Sequence, residues 1–97
     1  MAKIVFTNTF LLELTEIIDY ISVFYDKESA QRINDQILNS ISLLDNFPQS
    51  GHVMCYDDDK TIYRIIKGRY NIYYIYKGDL VQIISIVDAK RDTKYVH

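Results

Sequence analysis

Apolar and polar positions recur along this chain in two rhythms, and the rhythm changes once. From Phe10 to Tyr25 the apolar side chains step by three or four residues. Leu11, Leu14, Ile18, Ile21 and Tyr25 form one line, widened by Phe10, Ile17, Tyr20 and Phe24, while Glu13, Glu16 and Asp19 take the other side. That period is the mark of an amphipathic helix. Thr9 is the best-placed cap, and the acidic residues of the early turns suit the positive helix end. A second stripe, Ala30, Ile33, Ile37, Ile41 and Leu44 with Leu38 beside it, predicts a helix from about Lys27 to Leu44 capped by Asp26. The short joint at Asp26 predicts an antiparallel helix pair. Pro48-Gln49-Ser50-Gly51 then ends helical structure.

Elsewhere the period is extended. Ile4, Val5 and Phe6 predict a short strand ahead of the first helix. After Gly51 come segments at 52–56, 61–66, 69–76 and 80–87, separated by Asp57-Asp58-Asp59-Lys60, Lys67-Gly68 and Lys77-Gly78-Asp79 as turns. In the third of these, Tyr70, Ile72, Tyr74 and Tyr76 share one face, and Arg69, Asn71, Tyr73 and Ile75 the other. The order predicts an α+β fold: an N-terminal short strand, then an antiparallel α-helical hairpin packed on a mainly antiparallel three- to four-stranded sheet.

At 97 residues, with 48% hydrophobic and 25% charged side chains, one proline and three glycines, residues 1–97 read as a single folded domain. A chain of this size buries only about two-thirds of its unfolded surface, so a partner adds to its stability. The formal charge of −2 hides a polarity. Residues 1–50 hold three basic and seven acidic side chains, and residues 51–97 eight and six, so a site for a polyanion belongs in the second half. The lone Cys55 excludes an internal disulfide and a cysteine-cluster metal site. His52 and His97 have no second histidine at ligand spacing, and Asp57-Asp58-Asp59 lacks the pattern of a calcium loop. No metal or cofactor is expected, since the glycine motifs that cradle phosphates and dinucleotides are absent. No apolar run approaches the roughly 18 residues of a membrane span, and no leader is visible, so the default expectation is cytoplasmic, without a membrane partner.

The candidate chemistry is cationic. Arg64, Arg69, Lys90, Arg91 and Lys94 are the best charged set, because in a meander the end of the last strand approaches the start of the one before it. Converging cations hold phosphate oxygens or offset developing charge. The same residues also describe a solvated edge with salt bridges to Asp88 or Asp92. Nine tyrosines fit an open aromatic face. Tyr63, Tyr70, Tyr73 and Tyr95 are candidates for stacking on a base, with packing on the sheet as the alternative.

These segments resemble the RelE/ParE superfamily of bacterial type II toxins. The resemblance runs through FLLELTEIIDYI from Phe10 and LDNFPQSG from Leu44. It continues in YRII from Tyr63, GRYNIYY from Gly68 and VQIISIVDAKRD from Val81. The helix pair followed by Phe47-Pro48-Gln49-Ser50-Gly51 and the Lys90-Arg91-Asp92 ending look more like the ParE side. The resemblance implies a toxin neutralised by a cognate antitoxin, with growth inhibition and plasmid stabilisation as associated roles. RelE-like members are metal-independent endoribonucleases that cut mRNA on the ribosome, and ParE-like members inhibit DNA gyrase without catalysis. A degenerate antitoxin-binding protein that has lost toxicity is a third possibility. Asn71 stands where the nuclease branch commonly carries an arginine, Ile66 where it carries a basic residue, and Asp88 where many members carry histidine.

For a nuclease, the resemblance and the residue types imply Arg64 and Arg91 at the scissile phosphate, assisted by Arg69, Lys90 and Lys94. Tyr95 then stacks on a base, and Asp88 accepts the 2′-hydroxyl proton, although its ordinary pKa near 4 makes it a weak base. For the antitoxin, Phe10, Ile17, Tyr20 and Phe24 exceed what a short helix pair must bury and offer a helix-docking surface. A sheet edge offers strand addition, and an acidic antitoxin tail is expected to cross Arg64, Arg69 and Arg91. Sequence-specific DNA binding is not expected, since no reading helix is recognisable.

Overall fold

The computed structural model describes residues 1–57 and 60–92. Strand β1 (Lys3–Phe6) leads into helix α1 (Asn8–Phe24), which is followed by α2 (Lys27–Ser42) and a 3-10 turn (Leu43–Asp45). Strands β2 (His52–Asp57), β3 (Lys60–Lys67), β4 (Tyr70–Lys77) and β5 (Leu80–Asp88) then form a meander. The sheet order is β1-β5-β4-β3-β2. β1 lies parallel to β5, and the remaining pairs are antiparallel. The expected α+β architecture is therefore present, with the N-terminal strand enrolled as a fifth, edge strand. Two-residue loops, Gly68-Arg69 and Gly78-Asp79, close the β3–β4 and β4–β5 hairpins. Each glycine sits at positive φ (60° and 61°), as tight hairpin turns that follow strand twist require.

The helices cover one face of the sheet. Phe10, Leu14, Ile37, Ile41 and Leu44 meet Tyr63, Tyr70, Ile72, Tyr74, Val81, Ile83 and Ile86 in one core. The alternation expected along β4 holds here, with Tyr70, Ile72 and Tyr74 inward. β5 keeps pace through a bulge. Tyr73 pairs with Ser85 but Tyr74 with Ile83, which leaves Ile84 as an extra residue. The bulge resets the phase, so that Val81, Ile83 and Ile86 all reach the core.

Three details correct the sequence expectation. The cap of α1 is Thr7 rather than Thr9. Its Oγ1 accepts from the Phe10 N–H at 3.2 Å and donates to the Ile83 carbonyl at 2.9 Å, so one side chain caps the helix and ties it to β5. α2 stops at Ser42, and the following 3-10 turn buries Leu44 instead. Phe10 belongs to the core. It is fully buried and stacks on Phe6 with ring centroids 5.4 Å apart, so its area is used inside the monomer and is not open to an antitoxin.

Candidate functional site

The sheet face turned away from the helical core carries a polar row. Register places His52 opposite Arg64, Arg64 opposite Tyr73, and Tyr73 opposite Ser85. Directly opposed residues share a face, so β2 to β5 each contribute one polar side chain to a single line. Glu13 of α1 closes it beyond β5. Its Oε1 accepts from the Ser85 hydroxyl at 2.8 Å and from the Ile86 N–H at 3.1 Å. β1 pairs with β5 only from Leu80 to Ile83, so this carboxylate takes over just past the end of that pairing.

Asp92 folds back onto the row. Its Oδ2 accepts from the Asn71 amide at 2.8 Å and from the Tyr73 hydroxyl at 2.5 Å. Asn71 and Tyr73 are buried, with 6% and 1% of their surface exposed. Burial first, and the bond to Asp92 second, push the Tyr73 phenol up to about 12. The Arg64 guanidinium beside it works in the opposite direction. The Arg64 Nε is buried and has no hydrogen-bond partner among the described residues.

A second cluster borders the first. Arg69 and Asp88 flank the β4–β5 end, where the Ala89 N–H also bonds the Arg69 carbonyl at 2.8 Å. Arg69 donates to Asp88 Oδ2 through Nε at 3.0 Å and Nη2 at 2.5 Å. Asp88 Oδ1 accepts from the Lys90 N–H at 2.9 Å. That backbone bond, then Arg69, hold the Asp88 carboxyl below the usual carboxylate range. The Arg69 backbone therefore lies beside the turn that bears Lys90 and Arg91, as the meander implies. However, Arg69 is committed to Asp88, the salt bridge that was the alternative reading. Lys90 and Arg91 are exposed.

The stacking expectation fails for three tyrosines. Tyr63, Tyr70 and Tyr73 are all buried, and Tyr63 stacks on Tyr74 at 5.1 Å. Lys94 and Tyr95 lie outside the described residues. On α1, Tyr20 and Phe24 are 57% and 67% exposed and touch each other at 4.6 Å, whereas Ile17 is half-buried against the core. The sequence pattern does not mark His52, Asn71, Ser85 or Glu13 as site residues, and it offers Asp92 as a salt-bridge partner and as part of the Lys90-Arg91-Asp92 ending rather than as a site residue. A shallow hollow lined by Lys60, Ile75, Lys77, Leu80 and Gln82 includes none of the expected site residues. Among the described residues, no cluster of His, Cys, Asp or Glu is arranged to hold a metal ion, and no helix is long and apolar enough to cross a membrane.

Residues 4–93 match the family described as the ParE toxin of the type II toxin-antitoxin system, parDE. The chain belongs to the ParE toxin family. A solved structure described as the chromosomal ParDE TA system from P. aeruginosa has the same fold. Its TM-score is 0.73 at 18% identity, over 91% of this chain and 96% of that one. No curated protein sequence matches the chain. Around this geometry the exposed side chains are Lys90 and Arg91 on the turn after β5, and Tyr20 and Phe24 on the outer side of α1.

Proposed function

We propose that this chain is a toxin restrained by a cognate antitoxin, and that it acts in the cytoplasm by binding DNA gyrase rather than by cutting RNA. The observation that carries this reading is the fate of the acid–base candidates. A metal-independent nuclease needs a group poised to take the 2′-hydroxyl proton. Asp88, the expected base, is tied to Arg69 and the Lys90 N–H, and its carboxyl is held below its ordinary range, which makes it a poorer base still. Tyr73 is held protonated, and Asn71 brings an amide to a position where a cation is expected of a nuclease. The exposed Lys90 and Arg91 remain as contact residues for an acidic surface on the target.

Ribosome-dependent mRNA cleavage is the second reading, and one observation favours it: register sets His52 beside Arg64 on the same face. The two are separated with purified components. The gyrase reading expects the chain to block supercoiling by gyrase and to leave mRNA on programmed ribosomes intact. Cleavage that disappears in His52→Ala, with supercoiling unaffected, would replace it with the nuclease reading.

A further inference from the structure

Asp92 is not an ordinary tail carboxylate. Asn71 and Tyr73, two buried side chains on β4, aim their donors at the same carboxylate oxygen. Beside them stands Arg64, whose buried Nε–H has no acceptor among the described residues. A buried donor without an acceptor is destabilising, so this row is left short of an acceptor that a bound anion would supply. Guanidinium, amide and phenol donors together suit a planar carboxylate, which takes several bonds on two oxygens. A phosphate calls for more positive charge than the single guanidinium here.

We propose that Arg64, Asn71 and Tyr73 form a receptor for an acidic side chain of the antitoxin, and that Asp92 fills it as a tethered competitor in the unbound toxin. This rests on the reading of the chain as an antitoxin-restrained toxin, and it names what the antitoxin presents to the sheet. The incoming carboxylate displaces Asp92 from Asn71 and Tyr73 and supplies the acceptor that the Arg64 Nε lacks. Displacement also has a consequence for the target surface. The turn bearing Lys90 and Arg91 is held at both ends, by Asp88 on Arg69 and by Asp92 on the sheet. Releasing Asp92 removes one of those anchors, so antitoxin binding at the row repositions the two exposed cations. Neutralisation then needs no contact with Lys90 or Arg91 themselves.

The test uses the full chain and its Asp92→Ala variant, with Asp92→Asn as a second variant that keeps the side-chain shape and removes the charge. The side-chain amide of Asn71, followed by NMR, is titrated with sodium acetate and, at matched ionic strength, with sodium phosphate. Acetate is expected to saturate this signal in Asp92→Ala and to leave it unmoved at the same concentrations in the unaltered chain. Affinity for the cognate antitoxin is measured in parallel. If the receptor is open only about one-tenth of the time, removing the competitor tightens binding about tenfold. Asn71→Ala and Tyr73→Phe are expected to weaken binding. Antitoxin binding that is unchanged or weaker in both Asp92 variants overturns the proposal, as does an Asn71 signal that ignores acetate. Phosphate outcompeting acetate overturns it in favour of a nucleic-acid backbone. An antitoxin that fails to bind even the unaltered chain overturns the toxin reading itself, a result distinct from binding without a gain on removing Asp92.

Discussion

Tyr73 shows how much one side chain on this sheet depends on its surroundings. Its phenol is buried, donates to Asp92 and is pushed up to about 12, with burial the larger cause. Burial also raises Tyr70 and Tyr74, the latter despite a bond from the Gly51 N–H. A pKa raised in the folded state favours the protonated form there. Tyr73 therefore contributes stability that is complete below the ordinary tyrosine value near 10 and is lost as pH rises towards 12, and Tyr70 and Tyr74 act in the same direction. Denaturant unfolding of the intact chain between pH 9 and about 12 is expected to show stability falling across that window. Tyr73→Phe is expected to be less stable at neutral pH and to flatten the fall. An equal slope in the variant would show that Tyr73 is not a source of it. Strand alternation already put Asn71 and Tyr73 on the face away from Tyr70, Ile72 and Tyr74. What it left out was the neighbours. That His52, Arg64, Tyr73 and Ser85 form a row depends on strand register, and that Asp92 returns to it depends on the path after β5.

Among the elements, the two helices were legible because their apolar stripes are long and Asp26 caps the second in the expected way, accepting from the Ser29 N–H. The first cap was not, because Thr7 is chosen by a bond to β5 that local sequence does not reveal. Nor were the pairing of β1 with β5 and the bulge at Ile84, both of which depend on tertiary partners. The stripe of α1 is continuous in sequence but divides in the fold. Phe10 lies in the core, while Tyr20 and Phe24 extend past the region that α2 and the sheet cover. This division predicts opposite phenotypes within one helix. Phe10→Ala opens a cavity and is expected to destabilise the fold by about 3–5 kcal/mol. Phe24→Ala is expected to stay within about 0.5 kcal/mol in stability yet weaken antitoxin binding by about 2 kcal/mol, as for an aromatic anchor. Denaturation and binding measured on the same two variants check both halves. A Phe24→Ala variant that binds the antitoxin normally would move that interface off the outer side of α1.

Across the whole molecule, charge and apolar surface are divided between the two halves of the chain. The segment to residue 50 is acidic, and its helix α1 exposes Leu12, Tyr20, Val23 and Phe24. The segment from residue 51 has eight basic against six acidic side chains and carries Arg64, Lys90 and Arg91. An antitoxin that spans both surfaces meets two kinds of physics. Contact with α1 buries apolar area, which added salt does not screen. Contact with the basic sheet face is electrostatic and falls off beyond a Debye length of about 10 Å at 0.1 M salt and about 3 Å at 1 M. Salt should therefore act mainly on the association rate, because long-range steering is lost before close contacts are. Raising salt from about 0.1 to 1 M is expected to slow association by about tenfold or more and to change dissociation much less. The Phe24→Ala variant should show the reverse pattern, with faster dissociation and the same salt slope. Stopped-flow or surface-based kinetics on the unaltered chain and this variant measure both rates. If salt leaves the association rate unchanged, the antitoxin does not cross the basic face, and the α1 contact alone carries binding.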